Sequence, residues 1–316
     1  MARPRAGEGE MSGDTSFGDR VVAAGFAAGW KLVPLLPERP TAAVFRLLAD
    51  RVWARHGKSV ARLESNLARV TGLEPGSPEL RELTRAGMRS YFRYFHEIFR
   101  LPRMSGEEIV RRTRVVGAEH IHDTVAAGRG VVLALPHMGN WDQAGAWLVN
   151  VGHPFTTVAE RLKPESLFRR YVAFREGLGM EVLPLTGGDG HNFATLALRL
   201  RRGGVVCLPA ERDLTKTGVE VRFFGAATKM PAGPPLLAVQ TGAALLPAIV
   251  HFDGDDWGIH IQEELPVPAE GTRQEKVAAL AQGLADAFEK GIAEHPEDWH
   301  MLQRLWLDDL PGGAGR

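Results

Sequence analysis

The sequence predicts an α/β fold: a mixed β-sheet flanked by helices, preceded by a helical N-terminal layer. Three observations carry this. Residues 17 to about 127 show helical periodicity. From about residue 130, short apolar runs of strand character alternate with helical stretches. Near the end, two such runs flank Asp253-Gly254-Asp255-Asp256, a hairpin signal. Parallel strands with crossover helices plus one hairpin give a mixed sheet.

The first 16 residues are polar and Gly-rich and read as a disordered tail. Val22, Phe26, Trp30 and Val33 then lie on one helical face. The surrounding run, Val21 to Trp30, is too short to span a bilayer. Its Trp and flanking Arg20 and Lys31 suit an interfacial anchor as well as a packed helix. Phe45, Leu48, Val52 and Trp53 form a second stripe, expected against a core, and Tyr91, Tyr94 and Phe95 accompany Arg89, Arg93 and Arg100 in a third.

The Gly128–Arg129–Gly130 break leads into VVLALP (131–136), a buried-strand run. A helix is expected over 140–150, a strand over 155–160, and a helix from Pro164 to about Gly177. A strand over 180–185, a helix over 191–202 and the buried strand VVCLPA (205–210) follow. Helix 232–242, hairpin strands 245–252 and 257–264, and a last helix over 273–293 complete the chain. With no internal repeat or linker, residues 17–316 read as one domain: helical layer 17–127 and α/β core 128–316.

Composition narrows the function. The 38 basic and 38 acidic residues balance, so global charge gives no reason to expect a nucleic-acid partner. Cys207 is the single cysteine, which excludes an intramolecular disulfide and fits a reducing cytoplasm. It sits in an apolar strand and reads as inert core. His120, His122 and Asp123 resemble a metal cluster, but spacing by two does not put the histidines on one helical face, so no metal is expected. Gly187-Gly188-Asp189-Gly190 lacks the spacing of a phosphate fingerprint and reads as a loop. No Gly-x-Ser-x-Gly elbow occurs, so a serine hydrolase lacks its usual nucleophile.

The leading chemical candidate is His137-Met138-Gly139-Asn140-Trp141-Asp142, directly after a strand and before a helix. Ligands and catalytic groups collect at such strand ends. Asn140 can cap the helix, and Asp142 in its first turn can reach back to the imidazole, fixing its tautomer. Spacing alone does not select this pair: His251 and Asp256 have the same spacing but fall in the hairpin turn, where a solvated acidic turn is expected. Glu211-Arg212-Asp213 follows another buried strand. Glu211 is a second possible partner for His137, and Arg212 with Asp213 a possible ion pair. Thr215-Lys216-Thr217-Gly218 adds donors for phosphate or hydroxyl groups. Arg161, Lys163, Arg169, Arg170 and Arg175 are either a solvated helix face or a nucleotide phosphate site.

The runs LALPHMGNWDQAG, VAERLKPESLFRRYVAFREGLGMEVLPLTGG, PAERDLTKTG, FFGAATKMPAGP, TGAALLPA and DWHMLQRLW resemble the actinobacterial phosphatidylinositol mannoside acyltransferases, within the wider lipid A (lauroyl/myristoyl) acyltransferase superfamily. The resemblance covers most of the chain after its tail. It implies a glycerol-phosphate-acyltransferase-like fold and a protein on the cytoplasmic face of the plasma membrane. It implies palmitoyl transfer from acyl-CoA, a donor substrate rather than a cofactor. The acceptor would be the 6-hydroxyl of the mannose on inositol position 2 of mono- or dimannosylated phosphatidylinositol. By motif match His137 is the base, Glu211 supports it and Asp142 completes the His/Asp motif. His137, Arg175 and Thr217 match acyl-CoA-binding positions. Gln240 matches such a position that is acidic in a relative.

The chemistry suits that reading. A thioester is already activated, so no covalent nucleophile is needed, only a base for a sugar hydroxyl. An acyl-thioester hydrolase and a non-catalytic lipid-binding protein are the competing expectations.

Overall fold

The computed structural model describes residues 17–160, 164–184, 192–213, 215 and 217–310. The expected tail over 1–16, Arg161, Lys163, the Gly187–Gly190 loop and Lys216 lie outside the described residues.

The described residues open with helices α1 (Phe17–Leu32), α2 (Glu38–Ala54), α3 (Lys58–Thr71), α4 (Pro78–Arg100) and the short α5 (Gly106–Arg111). Ser77 starts α4 by accepting from the Leu80 amide, with Pro78 at the first helical position, where a missing N–H costs nothing. Strand β1 (Thr113–Val116) and helix α6 (Ala118–Ala126) follow. Then come β2 (Val131–Leu135), α7 (Trp141–Asn150), β3 (Phe155–Ala159), α8 (Glu165–Gly177), β4 (Glu181–Pro184), α9 (Asn192–Arg201) and β5 (Val205–Pro209). A hairpin, β6 (Val219–Phe223) and β7 (Ala226–Met230), leads to α10 (Gly233–Thr241), β8 (Ala244–Asp253), β9 (Asp256–Ile261) and α11 (Arg273–Glu294). Thr272 and Glu275 close a capping box at the start of α11.

The main sheet has the order β1-β9-β8-β2-β5-β3-β4. β8, β2, β5, β3 and β4 are parallel neighbours, and the β8–β9 hairpin reverses the direction, so the sheet is mixed as predicted. Strand residues alternate between two faces. Val132, Ala134, Val206 and Leu208 face a layer built by α9, α10, α11 and the β6–β7 hairpin. Val131, Leu133, Val205 and Leu246 face the layer of α4, α6, α7 and α8. Burial on both faces explains why β2 and β5 read as continuous apolar runs.

Two expectations for the N-terminal layer are corrected. Residues 113–116 form an edge strand paired with β9, inside the stretch predicted to be wholly helical. Its four residues alternate half-buried with exposed, too short and too exposed to stand out. The second helical stripe is also displaced. Phe45, Ala49 and Trp53 face inward, whereas Leu48 and Val52 are 45% and 37% exposed. Residues at i, i+4 and i+8 share a face, and Leu48 lies one position off it. On α1 the predicted face is packed: Phe26 and Trp30 lie edge-on to Phe99 of α4, with ring centroids 5.8 and 5.3 Å away.

Candidate active site

β2 and β5 are adjacent, with Leu135 opposite Pro209. His137 lies two residues beyond Leu135, and Glu211 two beyond Pro209. Their side chains meet: His137 Nδ1 is 2.7 Å from Glu211 Oε1. The His137 backbone N–H donates to the same oxygen at 2.7 Å. Glu211 is fully buried, whereas 44% of the His137 side chain is exposed.

These contacts define the proton inventory. Burial raises the Glu211 pKa, but the imidazole and its hydrogen bonds outweigh that and lower it. The carboxylate can only accept, so Nδ1–H donates and Nε2 carries the free lone pair. Burial depresses the His137 pKa, but the Glu211 carboxylate prevails and raises it, against the guanidinium charges of Arg175 and Arg212. The result is an oriented, accessible imidazole base with a buried carboxylate behind it.

The turn after His137 aims the next helix. Gly139 has φ +57°, and a Cβ there would come 2.6 Å from the Val250 carbonyl oxygen, so this position needs glycine. Asn140 caps α7 as predicted, accepting from the Gln143 amide at 3.0 Å, while its Nδ2 donates to Glu97 at 2.8 Å. Trp141 stacks on Tyr94, 4.2 Å between centroids, and meets the His137 ring edge-on at 5.4 Å.

Asp142 requires a correction. Its carboxylate does not hydrogen-bond the imidazole. Arg175 of α8 donates to it through Nε at 2.7 Å and Nη2 at 3.3 Å, and the Tyr94 hydroxyl donates at 2.7 Å. Asp142 is 1% exposed, and a buried carboxylate requires such partners. The charge that reaches it comes from a helix remote in sequence, so Glu211 is left as the partner of His137.

The other sequence candidates separate. Arg212 donates to the Arg304 carbonyl at 2.8 Å, and no Arg212–Asp213 ion pair forms among the described residues. Asp213 Oδ1 instead accepts from the Thr215 amide. Thr217 sits exposed on the loop after β5, its hydroxyl 2.7 Å from that of Thr215, at the same end of the sheet as His137. Gln240 does not join them. It is exposed near the end of α10, and the neighbouring Gly242 accepts from Arg129, before β2 begins. It therefore lies toward the opposite end of β2 from His137. Arg169 and Arg170 are exposed, Arg169 beside Glu165. His122 pairs with His153. Asp256 pairs with Arg112, and His251 stacks on His295, so the second His–Asp spacing match forms no pair. Cys207 is half-buried in β5, and burial pushes its thiol pKa far up.

Sequence reading missed Tyr94, Ser90, Asp298 and His300, all buried near the His137 turn. Tyr94 was visible only as one member of an aromatic stripe, and the C-terminal residues only within a motif of unassigned role.

A family model described as bacterial lipid A biosynthesis acyltransferase matches residues 20–308. A protein of Mycolicibacterium smegmatis named phosphatidylinositol mannoside acyltransferase is 51% identical over 301 residues, 95% of this chain and 96% of the relative. A protein of the same name from Mycobacterium tuberculosis is 52% identical over 288 residues, 90% of this chain and 88% of the relative.

Proposed function

The chain belongs to the bacterial lipid A biosynthesis acyltransferase family, and from that premise we propose that it palmitoylates a mannosylated phosphatidylinositol. The donor is palmitoyl-CoA or a similar long-chain acyl-CoA. The acceptor group is the 6-hydroxyl of the mannose on inositol position 2 of the mono- or dimannoside. The names of the relatives support a phosphatidylinositol mannoside as the acceptor lipid, and the choice of hydroxyl and of acyl donor rests on the sequence resemblance. The observation that carries the chemistry is the 2.7 Å contact between His137 Nδ1 and fully buried Glu211.

The steps follow from that contact. Nε2 of His137 takes the proton from the mannose hydroxyl as its oxygen attacks the thioester carbonyl carbon. The imidazolium that forms is stabilised by the Glu211 carboxylate. The tetrahedral intermediate collapses with cleavage of the C–S bond. The thiolate of CoA takes the proton from Nε2, leaving an ester and a free thiol. Arg175 and Thr217 stand at the same end of the sheet and suit polar parts of the donor. Gln240 would reach only a distant part of so long a ligand.

The acceptor is a lipid, and the N-terminal layer has a surface that suits one. Leu32, Leu35, Leu36, Val44, Leu47 and Leu48 are 45–65% exposed, on the end of α1, the turn after it and one side of α2. Lys31, Arg39, Arg46 and Arg51 are exposed among them. Apolar groups interspersed with cations favour an anionic bilayer surface. Among the described residues, no helix is long and apolar enough to cross a membrane. A peripheral position on the inner leaflet fits this surface.

Radiolabelled palmitoyl-CoA with phosphatidylinositol mono- and dimannoside tests the reading. The expected product is the acylated glycolipid, with label on the mannose 6-oxygen. His137→Ala should abolish its formation while the protein stays folded. Normal turnover by folded His137→Ala protein would overturn the base assignment. Release of free fatty acid at the same rate with or without acceptor would make the protein a thioesterase.

A further inference from the structure

The His137 turn is held from a second side, by the C-terminal segment. The His300 N–H donates to the His137 carbonyl at 2.8 Å, and the Gly139 N–H donates to the Asp298 carbonyl at 2.8 Å. Met138 and Trp299 thus face each other in an antiparallel bridge, and Trp299 is fully buried. Three consecutive residues carrying the base are therefore pinned by three residues about 160 positions later in the chain.

Polar side chains hold that clamp in turn. Ser90 of α4 donates to Asp298 Oδ1 at 2.7 Å, and His300 Nε2 is 2.9 Å from the same Ser90 oxygen. Asp298 Oδ2 accepts from the Phe252 amide at 2.7 Å. Asp298, Ser90 and His300 are 3%, 7% and 7% exposed. Because the Ser90 proton goes to Asp298, His300 Nε2–H donates to Ser90. Burial, with the nearby His137 charge, pushes the His300 pKa down to about 3, so this ring stays neutral. The His300 ring also packs against Trp141, 6.0 Å between centroids, and Trp141 touches the His137 ring. Both routes from His300 end on the base: its N–H on the His137 carbonyl, its ring through Trp141.

A packing role alone would not call for three buried polar groups, because burying them is unfavourable unless each is paired, and His300 is kept although its Nδ1 finds no partner among the described residues. We propose that His300, held by Ser90 and Asp298, is a positioning residue that sets the His137 imidazole against Glu211 through the main chain of residues 137–139. Its effect on turnover rests on His137 being the base; its effect on the His137–Glu211 contact does not.

The test uses the full chain and variants Ser90→Ala, His300→Phe and His300→Gln, with thermal unfolding to verify folding. Two quantities are read: kcat and KM for palmitoyl-CoA, and the low-field proton resonance of His137 Nδ1–H, assigned by its loss in Glu211→Gln. Ser90→Ala and His300→Phe should lower kcat about tenfold or more with little change in KM, as expected for a displaced catalytic group. Both should broaden or remove the resonance. His300→Gln places an amide N–H near the former Nε2–H and should restore most of both. Folded His300→Phe protein with wild-type kcat and an unchanged resonance would overturn the proposal, as would Gln performing no better than Phe. If His300→Phe does not fold, Ser90→Ala, which removes a single oxygen, decides in the same terms. Should His137→Ala prove active, the base assignment fails, but the resonance still reports whether the clamp positions the ring.

Discussion

At the scale of the residue, a partly buried imidazole is kept basic by one carboxylate. Burial alone would push the His137 pKa down, and Glu211 reverses the sign. A base acts when neutral, so the acidic limb of kcat/KM for acyl-CoA should lie above the ordinary imidazole range. In Glu211→Gln the carboxylate is gone and the desolvation remains. The limb should then move to lower pH and the plateau should fall, readable in a pH–rate series on both proteins. A limb that stays in place would mean another group supplies the shift. His137 was legible in the sequence through its context: a strand behind it and a helix cap ahead. Glu211 was legible as one of two candidate partners. Choosing between Glu211 and Asp142 was not, because it depended on where Arg175 pointed, from a helix 33 residues further along.

At the scale of the element, the start of α7 does most to shape the site. Asn140 is fully buried and serves two structures, capping α7 and donating to Glu97. Glu97 also takes the Trp257 indole N–H and Arg93. Asn140→Ala should therefore cost about 1 kcal/mol for the cap and about 2 kcal/mol more for the lost hydrogen bond to a charged group. A denaturant titration should show a lower midpoint with an unchanged slope. The cap, and strands β2, β5 and β8, were readable because turn chemistry and apolar runs are local signals. β1 was not, because a four-residue edge strand draws its stability from pairing with β9, more than 140 residues away. The hairpin β6–β7 was likewise invisible: it packs by tertiary contact under α11 and the C-terminal tryptophans.

At the scale of the molecule, the exposed apolar side of α2 is the unusual surface. Leu47 and Leu48 are 65% and 45% exposed, beside residues that are fully packed. Replacing both with Glu should barely alter stability, since exposed positions seldom matter. It should strongly reduce co-sedimentation with anionic vesicles. Added salt should weaken wild-type binding only in part, because screening affects the cations and not the apolar contact. Vesicle binding unaffected by the double substitution would overturn the proposed membrane role of this surface. The sequence offered this stripe as a core-facing one. Periodicity reports that a helix has an apolar side; it does not report what that side meets.

The pairing of β2 with β5 has a further consequence for how this site tolerates change. His137 and Glu211 each follow their strand by the same count of residues, from partners Leu135 and Pro209. Their separation is thus measured out first by the spacing of neighbouring strands, about 4.8 Å, and the clamped turn then sets the ring within it. The short runs 136–137 and 210–211 cannot change length, and the turn through Gly139 is held as well, by its positive φ and by the bridge to the C-terminal segment. Inserting a single residue in one run would carry its side chain to the other face. Deleting or inserting one in both at once is the only length change that would keep them level.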